Sequence, residues 1–168
     1  MRTRLNAISL LFILLIAAGC NVRYSFTGGQ FSGAKTFSVD FFRPQTALAS
    51  QSYAQQMTES LKDFLLAQSP LTLVTKDGEL RYQGFITDYR VAPIAIQGNE
   101  TAGKSRLSIT VKVKYTNTLE PDLSFDKSFT KFADYSASES LFSIEQELWT
   151  QINEQLAQEI YNASVGNW

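Results

Sequence analysis

From Ser105 to Thr116 the chain alternates without a break. Leu107, Ile109, Val111, Val113 and Tyr115 are apolar, and Arg106, Ser108, Thr110, Lys112 and Lys114 between them are polar or charged. Side chains on a strand point to opposite faces with a period of two, so this stretch is a strand with one buried face and one open face. A half-buried strand needs neighbours to pair with and a layer to cover its apolar side. The rest of the chain has to supply both.

Two stretches can form the cover. Tyr53, Met57, Leu61 and Leu65 stand four apart, with Ala54 and Phe64 beside them, which predicts an amphipathic helix that stops near Ser69-Pro70. Ser143 to about Asn162 repeats the pattern with Ile144, Leu148, Ile152, Leu156 and Ile160, and Ser143 followed by Gln146 reads as a capping box. Other segments supply the sheet. Phe37, Val39 and Phe41 alternate with Thr36, Ser38 and Asp40 in a strand ended by Arg43-Pro44. Leu71 to Val74 is a possible short strand, followed by a turn at Lys76-Asp77-Gly78. Glu79 to Ile96 reads as a long strand, expected to bend at Gly84 or before Pro93. After a turn at Glu120-Pro121-Asp122, a last strand puts Lys127 on the same face as Phe125 and Phe129, which either a bulge or an edge position would explain.

The order β-α-β-β-β-α gives an α+β, two-layer sandwich: a mixed sheet of about four strands with two helices on one face. The β-α-β crossover favours a parallel pair and the short turns favour antiparallel ones. A chain of 168 residues suffices for one such domain.

The N-terminus has another character. Arg2 and Arg4 precede an apolar run from Leu5 to Ala18, shorter than the roughly 20 residues that span a bilayer. This is the layout of a secretory signal. It ends in Ala17-Ala18-Gly19-Cys20, which resembles the lipobox of bacterial lipoproteins, although Ala17 stands where a leucine-like residue is usual. In that class cleavage before the cysteine makes it the acylated N-terminus. The expected division is a signal peptide over 1–19, a lipidated N-terminus and glycine-bearing linker over 20–34, and a single domain over 35–168. Each buried CH₂ contributes roughly 0.8 kcal/mol, so several acyl chains on Cys20 would hold the protein firmly to a membrane. Asn21, rather than aspartate, follows the cysteine; by analogy with lipoprotein sorting this favours the outer membrane.

Composition removes many chemistries. There is no histidine and only one cysteine, so imidazole catalysis, thiolate clusters and internal disulfides are excluded. No paired-carboxylate motif stands out, and the expectation is a protein that is not an enzyme and holds no metal or cofactor beyond the lipid on Cys20. With a net charge of −1 the chain is no general polyanion binder, and nucleic acid is not an expected partner. Gly98–Ser105, "GNETAGKS", fits the written P-loop pattern G-x-x-x-x-G-K-S. A working P-loop opens a helix whose N-terminus receives phosphate. Here a strictly alternating strand comes next, so the loop is expected to join two strands as a hairpin, and Lys104 is not expected to bind nucleotide.

Taken in order, several stretches resemble a known family: Tyr24-Ser25-Phe26, Lys35-Thr36-Phe37-Ser38-Val39, Gly84-Phe85-Ile86-Thr87-Asp88-Tyr89, Gly98-Asn99-Glu100-Thr101-Ala102, Arg106-Leu107, Tyr115-Thr116-Asn117, Asn153-Glu154-Gln155-Leu156 and the terminal Asn167-Trp168. Their order and spacing are similar to the lipopolysaccharide-assembly lipoproteins of the LptE family, in a divergent branch. The resemblance implies two helices on a four-stranded mixed sheet. It also implies a non-enzymatic plug and assembly factor inside the lumen of the outer-membrane β-barrel LptD, the pair delivering lipopolysaccharide to the outer leaflet. Members bind lipopolysaccharide through basic residues, none of which aligns individually with this sequence. The alternative is a free-standing, periplasm-facing lipoprotein that holds a small amphiphile between sheet and helices.

Charge is unevenly spread. Residues 81–131 carry eight basic and five acidic side chains, and residues 132–168 carry six acids and no base. Arg106, Lys112 and Lys114 share the open face of their strand and are the candidate contacts to lipopolysaccharide or to the barrel; the plainer reading is a solubilising face. Trp149 and Trp168 read as packing residues.

Overall fold

The computed structural model describes residues 31–94 and 103–166. Cys20, the signal segment, most of the linker, residues 95–102 and the terminal Asn167-Trp168 lie outside the described residues. The elements are β1 (Thr36–Val39), β2 (Arg43–Pro44), α1 (Gln51–Gln68), β3 (Thr72–Leu73), β4 (Leu80–Ile94), β5 (Lys104–Asn117), a 3₁₀ turn (Pro121–Leu123), β6 (Phe125–Ser136) and α2 (Leu141–Val165). The sheet runs β3-β1-β4-β5-β6, with β2 also paired to β4. β1 is parallel to β3 and β4, and β2 is parallel to β4. β4–β5 and β5–β6 are antiparallel. The expected mixed sheet and helix order are present.

The sheet has six strands rather than about four, because two short segments pair. Thr72–Leu73 pairs with β1. Arg43-Pro44, expected to end a strand, pairs with Phe85 and Ile86. The residue just before it, Phe42, holds this segment in place. Phe42 is fully buried, its backbone N–H donates to Thr58 Oγ1 at 3.0 Å, and its ring lies against Gly84. Gly84 is therefore a site of close approach and not of bending.

The irregularity of β4 lies at neither Gly84 nor Pro93. Its register with β5 shifts between Ile86 and Asp88, leaving Thr87 as the extra residue. One inserted residue reverses the parity of the rest of the strand. Tyr82 and Ile86 are buried before the bulge and Tyr89 after it. For β6 the register with β5 is unbroken and the strand lies at the sheet's edge. Lys127 therefore reaches solvent past that edge, with its ammonium 5.1 Å from the centroid of the Phe125 ring.

Ser50 caps α1 by accepting from the Tyr53 N–H. The capping box expected at Ser143 does not form. α2 starts earlier, with Ser140 as N-cap, and Ser143 Oγ donates to the Ser140 carbonyl from within the first turn. Tyr53, Met57, Leu61, Ile152, Leu156 and Ile160 from the helices close over Tyr82, Ile86, Leu107, Ile109 and Val111 of the sheet, all fully buried. Trp149 packs as expected: it is buried, meets Tyr53 edge-on at 5.2 Å, and donates from Nε1 to the Tyr89 hydroxyl at 2.9 Å. Residues 31–34, assigned above to the linker, already touch the domain: Ala34 is buried, Phe31 packs on the core, and Ser32 Oγ accepts from Asn117.

Candidate functional site

With the helices on one side, the opposite face of β4, β5 and β6 is left open among the described residues. Registered pairs share a face, so Gln83 stands beside Lys114, Phe85 beside Lys112, Ala92 beside Arg106, and Arg106 beside Asp134. Arg106, Lys112 and Lys114 thus lie along one strand, away from the helices, as the alternation requires.

Their electrostatic states differ. Arg106 makes a bidentate pair with Asp134, Nε to Oδ1 at 2.6 Å and Nη2 to Oδ2 at 2.8 Å, and its guanidinium carbon lies 3.6 Å from the Phe132 ring centroid. The Arg106 hydrogen bonds hold the Asp134 carboxyl below the usual carboxylate range, and Asp134 raises the pKa of the guanidinium in turn. Lys112 Nζ sits 3.1 Å from Asp126. Arg81 pairs with Asp77, Arg90 with Asp88, and Lys131 with Glu159 of α2. Lys114 forms no ion pair among the described residues.

Beside Lys114 the open face is concave. A hollow of about 390 Å³ is lined by Asp40, Phe41, Arg43, Lys76, Gln83 and Phe85, with the Gly84 backbone at its base. Gln83 Nε2 donates to Asp40 Oδ2 at 2.9 Å. Arg43 and Lys76, like Lys114, form no ion pair among the described residues. Sequence reading missed both. Arg43 stood next to a strand-ending proline and Lys76 in a turn, 33 positions apart, and no periodic signal joins them.

Lys104 lies in β5, whose register with β4 runs out to Ile94↔Lys104. Gly98–Ser105 is therefore part of a hairpin connection, with its tip outside the described residues, and no helix comes after it to receive phosphate. Among the described residues no cluster of three or more acidic, cysteine or histidine side chains could hold a metal, and no helix is long and apolar enough to cross a membrane.

A family model for lipopolysaccharide assembly, LptE, matches residues 34–164, nearly all of the described domain. The chain belongs to the LptE family. Solved structures share the fold at low identity. A minor lipoprotein from Acinetobacter baumannii is 16% identical with a TM-score of 0.50, over 77% of this chain and 91% of that one. A protein from Chlamydia trachomatis is 9% identical with a TM-score of 0.50, over 80% and 99%. A protein from Xanthomonas campestris is 8% identical with a TM-score of 0.51, over 76% and 82%. No curated protein matches significantly. Membership makes the chain a lipoprotein of lipopolysaccharide assembly. In this LptE domain the helices cover one sheet face, and the charged face with its hollow stays open among the described residues.

Proposed function

We propose that this LptE-family lipoprotein is the plug and assembly partner of a lipopolysaccharide-translocating outer-membrane β-barrel of the LptD type, helping to insert lipopolysaccharide into the outer leaflet. Acyl chains on Cys20 anchor it to the outer membrane, with the domain facing the periplasm or the barrel lumen. The open sheet face, with Arg106, Lys112 and Lys114, meets the lipid's anionic groups or the barrel wall. The observation that carries this reading is the family match across residues 34–164. A free-standing amphiphile carrier has less support, because fully buried side chains such as Tyr53, Met57, Tyr82 and Leu107 fill the space between sheet and helices.

Copurification tests the proposal. The tagged chain, extracted from membranes in mild detergent, is expected to bring down one β-barrel in stoichiometric amount. The triple change Arg106→Glu, Lys112→Glu and Lys114→Glu, with folding checked by circular dichroism, is expected to weaken barrel recovery or lipopolysaccharide binding. A wild-type chain that emerges alone overturns the assembly reading. A folded triple variant that behaves as wild type removes these three residues from it.

A further inference from the structure

We infer that the outer edge of β6 is the docking site of the chain's own N-terminal segment, Val22 to Thr27, which adds to it as an antiparallel strand. The inference goes beyond the assembly reading and does not depend on the barrel.

The edge itself is the first argument. β6 is 12 residues long, its register with β5 is unbroken, and nothing pairs with its other side among the described residues. In an antiparallel ladder alternate residues of such a strand turn both N–H and C=O outward, a row of unmet donors and acceptors that an extended segment can satisfy. At the opposite edge β3 is only two residues long. β6 has neither a proline nor a bulge to blunt it. Its two lysines are engaged on the helix side, Lys131 with Glu159 and Lys127 beside the Phe125 ring.

The path of the chain is the second argument. The N–H groups of Lys35 and Thr36 donate to Glu79, just ahead of β4, and Ser32 Oγ accepts from Asn117, the last residue of β5. Followed back from β1, the chain therefore passes the start of β4 and reaches the end of β5. The sheet order puts β6 next, and the Tyr115–Phe125 pair sets the start of β6 at this same end. The four steps from Phe31 back to Thr27 span at most about 14 Å, enough to cross one strand spacing of about 4.8 Å and turn at Gly28-Gly29. A segment that continues from there along β6 runs antiparallel to it.

The side chains are the third argument. Val22, Tyr24 and Phe26 alternate with Arg23, Ser25 and Thr27, the pattern of a strand with one apolar face. One parity puts the apolar three on the helix side, where they extend the row of Phe125, Phe129 and Ala133, and leaves Arg23 and Ser25 on the open side with Ser128 and Thr130. A second copy fits less well. The two fullest antiparallel registers of β6 on another β6 set Asp126 opposite Asp134 or Lys131 opposite Lys131. With the segment paired, Cys20 lies beside β6, and the sheet edge sets how the domain stands at the membrane.

The test uses the mature, lipid-anchored chain in detergent, with peptide-resolved hydrogen exchange reading the β6 amides. The variants are Val22→Ser/Tyr24→Ser/Phe26→Ser and the pattern-keeping Val22→Ile/Tyr24→Phe/Phe26→Leu. The serine variant is expected to exchange β6 amides about tenfold faster with β5 unchanged, and the pattern-keeping variant to match wild type. In a second arm Ser25→Cys is combined in turn with Ser128→Cys, Thr130→Cys or, at the far edge, Thr72→Cys, and the bonds formed on mild oxidation are mapped by mass spectrometry. Cross-linking to β6 and none to β3 is expected. Equal β6 exchange in all three forms, or cross-linking to β3 as readily as to β6, overturns the inference. So does β6 protection that is lost when a copurified barrel or a second copy is removed, and not with the serine changes, because the edge then belongs to that partner. A wild-type chain that emerges alone but keeps its β6 protection tells against the assembly reading and supports this one.

Discussion

Replacing Gly84 with alanine tests the packing that places Arg43. A Cβ built at Gly84 clashes with the Cε1, Cδ1 and Cζ atoms of the Phe42 ring. Carbon–carbon contact is comfortable near 3.5–4 Å, so the ring has to retreat by more than about 1 Å. It has little room: Phe42 is fully buried and its N–H is tied to Thr58 Oγ1. Forcing an extra methyl into such a core costs about 1–3 kcal/mol. The stiffer unfolded chain returns about 0.4–1 kcal/mol. The net expectation is a loss of about 1–2 kcal/mol, read as a lower urea midpoint at unchanged slope. Phe42→Leu alone also destabilises, by loss of buried surface. Combined with Gly84→Ala it should cost less than the sum of the two by at least about 1 kcal/mol, because the smaller side chain makes room for the methyl. A Gly84→Ala protein as stable as wild type, or strictly additive single changes, would refute the reasoning.

Other outcomes are expected. Cys20→Ala should leave the protein without acyl chains, so that mass spectrometry finds no lipid adduct and the protein leaves the membrane pellet; a pelleted, unmodified protein contradicts the anchor. Glu79 accepts from the backbone N–H groups of Lys35 and Thr36, which hold its pKa below the ordinary value. A depressed carboxylate pKa contributes stability that is present above the unfolded value, about 4.3, and is lost as pH falls through the folded value. Glu79→Gln should therefore show a smaller loss of Tm on acidification through that window than wild type, and an identical acid profile removes Glu79 as a contributor.

Much of the fold was legible because its signals belong to single elements. β5 declares itself by alternation and both helices by four-residue spacing, since each has one face against the same core. The bulge in β4 was also written in the chain: buried positions pass from even at Tyr82 and Ile86 to odd at Tyr89. Glycine and proline drew attention instead, although Gly84 serves close approach and Pro93 stays in register opposite Ser105. β2 left no signal of its own. Two residues have no period, and Arg43-Pro44 becomes a strand only because Phe42 docks on Gly84.

The open face was legible in outline and not in its electrostatics, and the reason is register. Alternation fixes which side Arg106, Lys112 and Lys114 occupy, but a slip of two residues between β5 and β6 keeps every parity and changes every partner. In such a slip Arg106 would stand opposite Phe132 or Ser136. The observed register sets it opposite Asp134, which answers its charge. The same register leaves Lys112 beside Ser128, close enough to reach Asp126 diagonally. Lys114 faces Asp126 across the strands, yet that carboxylate is taken by Lys112, and its other neighbour is the neutral Gln83. The cation left over is therefore the one next to the hollow where Arg43 and Lys76 are also unanswered. Carboxylates thus answer Arg81 and Lys112 at this end of the face as well as Arg90 and Arg106 at the other, and Arg43, Lys76 and Lys114 are the cations near the hollow with no ion-pair partner among the described residues.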